Sequence, residues 1–162
     1  MYEGLPSIES HRNLDKGISI EELKAIGVSE VFIGDAYASL EEVCLLEKHN
    51  DDNVVLDLML NSKDDEELFD KVLTVRPDYN NYLIRVSGGR GKDVKPLNNQ
   101  NPRHKFDVTI DNELFKRYSG EVNIVINELP IEQRVNVIGK VKCSDIIVNK
   151  IKESKKIKFN II

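Results

Sequence analysis

Glu30-Val31-Phe32-Ile33-Gly34-Asp35 is the stretch on which the fold turns. Its apolar core is short and uninterrupted, the pattern of a strand buried in a parallel sheet. It stops at Gly-Asp, and Ser39-Leu40-Glu41-Glu42 follows. That is a capping box, and it opens a helix with Leu40, Val43, Cys44 and Leu46 along one side. The same order occurs just upstream. Gly4-Leu5-Pro6-Ser7-Ile8-Glu9-Ser10-His11-Arg12 reads as strand-end chemistry, and Ser19-Ile20-Glu21-Glu22 caps a helix running to about Ile26, with Gly27 as its C-cap. Strand end, helix, strand end, helix makes two βα units. Such units are stable only when closed against sister units. The chain therefore reads either as a fragment or as one whose other barrel strands come from elsewhere.

Past His49-Asn50-Asp51-Asp52-Asn53 the pattern changes, and this polar break divides the chain into residues 1–50 and 51–162. Val54 to Leu60 reads as a strand, and Asp64 to about Leu73 as a helix with Leu68, Phe69 and Val72 as its apolar stripe. Strands are then expected at Tyr82–Val86, Phe106–Ile110, Gly120–Ile126 and Arg134–Val141, where Val122, Ile124 and Ile126 alternate cleanly. A short helix from Ser144 to Lys152 and a strand from Ile157 to Ile162 close the chain. Short strands, long turns and few helices predict a small closed β structure, so the fold class is α+β.

Composition sets the outer limits. The 162 residues are 40% hydrophobic, enough for a real core, and carry a net charge of −5. An acidic surface repels phosphate backbones, so nucleic acid is not the expected partner. The longest apolar run is far short of a membrane span, and no signal-peptide pattern leads the chain. Cys44 and Cys143 lie far apart without CxxC spacing. They read as reduced thiols buried in the core of a cytoplasmic protein. His11, His49 and His104 have no metal-ligand spacing, so neither metal nor other cofactor is expected.

Several linked motifs resemble one family, the MupG family of bacterial 6-phospho-N-acetylmuramidases. At the front these are Gly4 to Arg12, and Ile33-Gly34-Asp35 followed by Ala38-Ser39. Further on come Asp107-Val108-Thr109-Ile110-Asp111-Asn112, Arg117-Tyr118-Ser119-Gly120-Glu121 and Arg134-Val135-Asn136-Val137-Ile138-Gly139. The chain departs from the family pattern at Ser7, where Thr is commoner, and at Phe106, where Gly is commoner. The resemblance implies a TIM-barrel glycoside hydrolase with a C-terminal cyclophilin-like β-barrel. This chain would hold the last two βα units and the whole second domain, with Met1 falling inside the catalytic barrel. The implied substrate is a 6-phosphorylated muramic-acid sugar, handled in the cytoplasm during cell-wall sugar recycling.

Candidate site residues follow from this frame. Glycoside hydrolysis normally uses two carboxyl groups flanking the bond. Asp35, at an expected barrel rim, and Glu9 are the front-end candidates; the alternative is that Asp35 orders its loop and Glu9 is solvated. Arg12 could grip the substrate phosphate in a bidentate way and His11 could donate to it, or the two could simply solvate a loop. Gly88-Gly89-Arg90-Gly91 lacks phosphate-loop spacing and reads as a flexible turn, with Arg90 as a candidate for a cleft between the two domains. Arg103, in the long polar connection from Lys95 to Lys105, is a further candidate for anion contact. Asp111-Asn112 reads as a turn pair.

Two functions remain open at this point. One is the C-terminal part of a 6-phospho-N-acetylmuramidase-like hydrolase, inactive alone because two βα units cannot assemble a rim. The other is a non-catalytic accessory or sugar-phosphate-binding module. The uncovered helix faces at Leu23, Ile26, Leu40 and Val43 predict self-association.

Overall fold

The structure is a computed structural model, and it describes residues 6–97 and 101–162. The Gly4-Leu5 start of the first motif and part of the Lys95–Lys105 connection lie outside the described residues.

Two helices form the front. Helix α1 spans Lys16–Ala25 and α2 spans Leu40–His49. Ser39 caps α2 as expected: its hydroxyl accepts from the Glu42 N–H, and the Glu42 carboxylate accepts from the Ser39 N–H. The cap of α1 differs. Asp15, not Ser19, accepts from the Gly17 and Ile18 N–H groups, and Ser19 lies within the helix, its hydroxyl on the Asp15 carbonyl. Val31-Phe32-Ile33 is not a strand. It runs without sheet pairing, and Phe32 is 81% exposed. A parallel strand needs neighbours for its N–H and C=O groups, and no described strand lies beside this one to supply them.

Among the described residues, seven strands make the rest of the fold: β1 (Val54–Leu60), β2 (Leu73–Thr74), β3 (Leu83–Val86), β4 (Asp107–Asp111), β5 (Val122–Val125), β6 (Val135–Val141) and β7 (Lys156–Ile161). Helix α3, Asp145–Ser154, lies between β6 and β7 with Ser144 as its N-cap. The strand order is β2-β7-β1-β6-β4-β5-β3, with β1 and β7 parallel and the other pairs antiparallel. The two edges nearly meet. Val75 bridges Val86, the Arg76 N–H donates to the Arg85 carbonyl at 2.9 Å, and the Ser87 N–H donates to the Thr74 carbonyl at 2.8 Å. The result is an almost closed barrel-like sheet in a mixed α+β fold. Leu56, Leu58, Ile84, Val108, Ile110, Ile124 and Ile157 fill its interior, and Ile147 and Ile151 of α3 pack onto it.

The expected helix from Asp64 to Leu73 is only a 3-10 turn over Lys63–Leu68. Phe69 turns inward against Phe159 with ring centroids 4.9 Å apart, and Leu73 and Val75 point inward at the period-two spacing of a strand. Closing the barrel claims these residues before a helix can continue. Cys143 is buried as expected, and burial pushes its thiol up to about 12; Cys44 is instead exposed on α2.

The front helices dock on the barrel through ions. Asp15 pairs with Lys142 at 2.7 Å, and Lys24 donates to the His49 carbonyl. Buried His49 lies 2.9 Å from Glu21 of α1 and 3.6 Å from Asp57 of β1.

Candidate functional site

The front-end candidates do not converge. Glu9 sits in an exposed 3-10 turn and is held by Arg12 through two hydrogen bonds, 2.6 and 2.9 Å. The Arg12 fork thus already grips a carboxylate. His11 is buried, 2.9 Å from Glu22 of α1. A cleft of about 280 Å³ between the helices is lined by His11 and Arg12 but by neither Glu9 nor Asp35. Asp35 is exposed beyond the unpaired segment. In the second half, Arg103 donates twice to the Pro130 carbonyl, at 3.1 and 3.0 Å, and so clamps the turn at Leu129-Pro130.

Arg90 is the candidate that the structure brings into a cluster, within residues 51–162 and not between the two parts of the chain. A cleft of about 560 Å³ opens on the barrel beside it, lined by Arg76, Asp78, Arg85, Arg90, Asp111, Phe115, Arg117, Tyr118 and Glu121. Local geometry explains how these residues meet. Gly89 and Gly120 press together so closely that a Cβ on either would stand about 2 Å from the other's carbonyl oxygen. Only glycine permits that approach, and it sets Arg90 against Glu121. The Asp111 N–H donates to the Glu121 carbonyl, and the Gly120 N–H donates back to Asp111. The 3-10 turn over Glu113–Tyr118 is broken at Lys116, whose φ of 53° and ψ of −115° redirect the chain at Arg117 and Tyr118.

Buried Glu121 is the electrostatic centre. Its carboxylate accepts from Arg90 and from Arg76 (3.1 Å), with Arg85 3.6 Å away. Asp78 takes two hydrogen bonds from Arg76 and pairs with Arg85 at 3.2 Å. Arg90 and Arg117 both lie over the Tyr118 ring, 4.9 and 4.8 Å from its centroid, and Arg117 also donates to the Tyr118 hydroxyl. Asp111 is the unusual acid. Burial first, and the nearby Glu121 charge second, raise its pKa to about 7 against the pull of Arg103, Arg85 and Arg90. It is a carboxyl that holds a proton near neutrality.

Sequence reasoning missed most of this cluster. Asn112 does make the expected turn, its side chain accepting from the Leu114 N–H. Asp111 instead faces the cleft. The available signal was Arg117-Tyr118-Ser119-Gly120-Glu121, which holds two aromatic-cationic partners, a close-approach glycine and the central carboxylate within five residues. Among the described residues no group of three or more His, Cys, Asp and Glu side chains could hold a metal ion.

Comparison with known proteins places this architecture. The family model for the N-terminal part of 6-phospho-N-acetylmuramidase matches residues 1–48, and that for its C-terminal part matches residues 53–160. The chain belongs to the MupG family. No curated protein matches it significantly. Two solved structures share its fold. An uncharacterised B. cereus protein superposes with a TM-score of 0.79 at 24% identity, over 94% of this chain and 47% of that one. A conserved Enterococcus faecalis protein of unknown function gives 0.70 at 23% identity, over 98% and 44%. The chain spans less than half the length of either. No helix among the described residues is long and apolar enough to cross a membrane.

Proposed function

We propose that this chain is the C-terminal part of a 6-phospho-N-acetylmuramidase-like glycoside hydrolase of cytoplasmic cell-wall sugar recycling, and that it does not turn over substrate alone. In this reading residues 1–50 are the last βα units of a TIM barrel and residues 51–162 a cyclophilin-like barrel. The carrying observation is the state of the front carboxylates. Glu9 is spent on Arg12 and Asp35 stands on an exposed loop, whereas hydrolysis needs two carboxyls across one bond. Both would become catalytic only on a completed barrel rim.

The accessory reading is favoured for the isolated chain by the arginine cleft, which gathers four guanidiniums in residues 51–162, outside the expected catalytic barrel. The test is hydrolysis of a chromogenic 6-phospho-muramic glycoside. The expected result is no turnover by this chain and turnover by a family member of about twice its length. Turnover by this chain overturns the proposal.

A further inference from the structure

We propose that the arginine cleft of the barrel is a binding site for a phosphate monoester, gripped by Arg90 and Arg117 with the Asp111 carboxyl donating a hydrogen bond. This deepens the sugar-phosphate reading and moves the phosphate from the front loop to the second half of the chain. It rests on that reading only for the class of molecule that carries the phosphate.

Positive charge in the cleft exceeds its negative partners. Four guanidiniums line the cleft against three carboxyls. Glu121 and Asp78 occupy Arg76 and Arg85 and engage one edge of Arg90. Among the described residues the Arg117 side chain pairs only with Tyr118, and the terminal nitrogens of Arg90 have no hydrogen-bond partner. Both arginines lie over one ring and line one cleft, in a chain whose overall charge is −5. A small tetrahedral dianion in the cleft supplies the missing negative charge and accepts from both forks. The rigid Gly89–Gly120 contact and the kink at Lys116 fix these arginines in advance, which lowers the ordering cost of binding.

Asp111 adds a condition on pH. The groups facing it are Glu121, Arg85, Arg90 and Arg103, with Asn123 3.4 Å from its Oδ1. Its pKa stands at about 7, and a bound dianion would push it higher. A phosphate monoester becomes a dianion above about pH 6. Affinity is therefore greatest at about pH 6–7 and falls above, as the Asp111 carboxylate forms and repels the ligand.

Isothermal titration with inorganic phosphate, glucose 6-phosphate and glucose tests the site. Both phosphates should bind and glucose should not. Arg117→Gln and Arg90→Gln should each weaken binding at least about 10-fold, the effect of losing one charged donor pair. Neither removes Glu121's contact with Arg76, and circular dichroism checks that both variants remain folded. Lys48→Gln, a charge-matched change on α2, should leave affinity unaltered. Asp111→Asn should abolish the decline above pH 7. Four results would overturn the proposal: no phosphate binding, equal weakening by Lys48→Gln, loss confined to Arg12→Gln, or binding of inorganic phosphate with glucose 6-phosphate excluded. A decline above pH 7 that survives in Asp111→Asn removes Asp111 from the site.

Discussion

Two residue positions show how tightly the cleft depends on backbone rather than side-chain chemistry. A Cβ on Gly89 would meet the Gly120 carbonyl oxygen at 1.9 Å, and no rotamer change relieves a clash between main chains. Gly91, two residues on, has a φ of +86° but open space around it. Gly89→Ala should therefore cost about 3 kcal/mol, the upper range for forced overpacking, and Gly91→Ala only about 1 kcal/mol, the left-handed penalty alone. Urea denaturation of both variants measures the contrast; equal losses would mean that the close approach is not what shapes the loop. The sequence revealed the glycines but not this difference. Gly88-Gly89-Arg90-Gly91 looks like a turn in isolation, and the partner that makes Gly89 obligatory lies 31 positions away. Phe106 was more legible: it stands where the family pattern has Gly, and its φ is indeed +70°. Its ring compensates by packing against the core, with Lys105 5.1 Å from the ring centroid.

At the scale of elements, local signals succeeded where the element satisfies itself. Ser39 and Glu42 close a capping box within four residues, so α2 was readable; Val54–Leu60 carries enough β-branched and apolar residues to be a strand under any neighbours. Val31-Phe32-Ile33 has the same apolar character but no partner strands among the described residues, and composition does not make hydrogen bonds. The attachment of α1 and α2 to the barrel was invisible because it runs through His49, Glu21 and Asp57, which lie far apart in sequence and carry no local pattern that pairs them. Burial opposes charge on His49, but the Asp57 and Glu21 carboxylates outweigh it and raise its pKa to about 9. A histidine raised in the folded state stabilises fully below its unfolded pKa of about 6.5, and that contribution is lost as pH rises toward and through 9. Asp111 has the opposite character: raised from 3.8 to about 7, it weakens the fold progressively across that lower interval and no further above it. Stability lost between about pH 7 and 9 should therefore belong to the front helices. Urea midpoints should fall across that window in the native chain and stay level in His49→Gln, and an unchanged slope in the variant would detach His49 from the docking.

For the whole molecule, the contrast is between a barrel that nearly closes and a front that stays open. Through Val75 and Val86 the sheet edges meet, so little strand edge remains to pair with another chain. The front has no such closure: Phe32 is 81% exposed, Leu40 86% and Ile26 57%, all on or beside α1 and α2. Scattered apolar residues are ordinary on a surface, but three large ones in one region, together with Val28 and Tyr37, favour contact with a second copy. If association uses this surface, sedimentation or light scattering should show a concentration-dependent dimer that persists in high salt, since apolar contact is not screened. Phe32→Ser with Leu40→Ser should give a monomer with an unaltered barrel, because neither side chain enters the core. Phosphate binding offers the internal control. The arginine cleft lies in the barrel half, lined by none of these residues, so the double variant should bind phosphate as the native chain does. A double variant that lost phosphate affinity would mean that the front and the barrel are coupled through more than the ion pairs at His49 and Asp15.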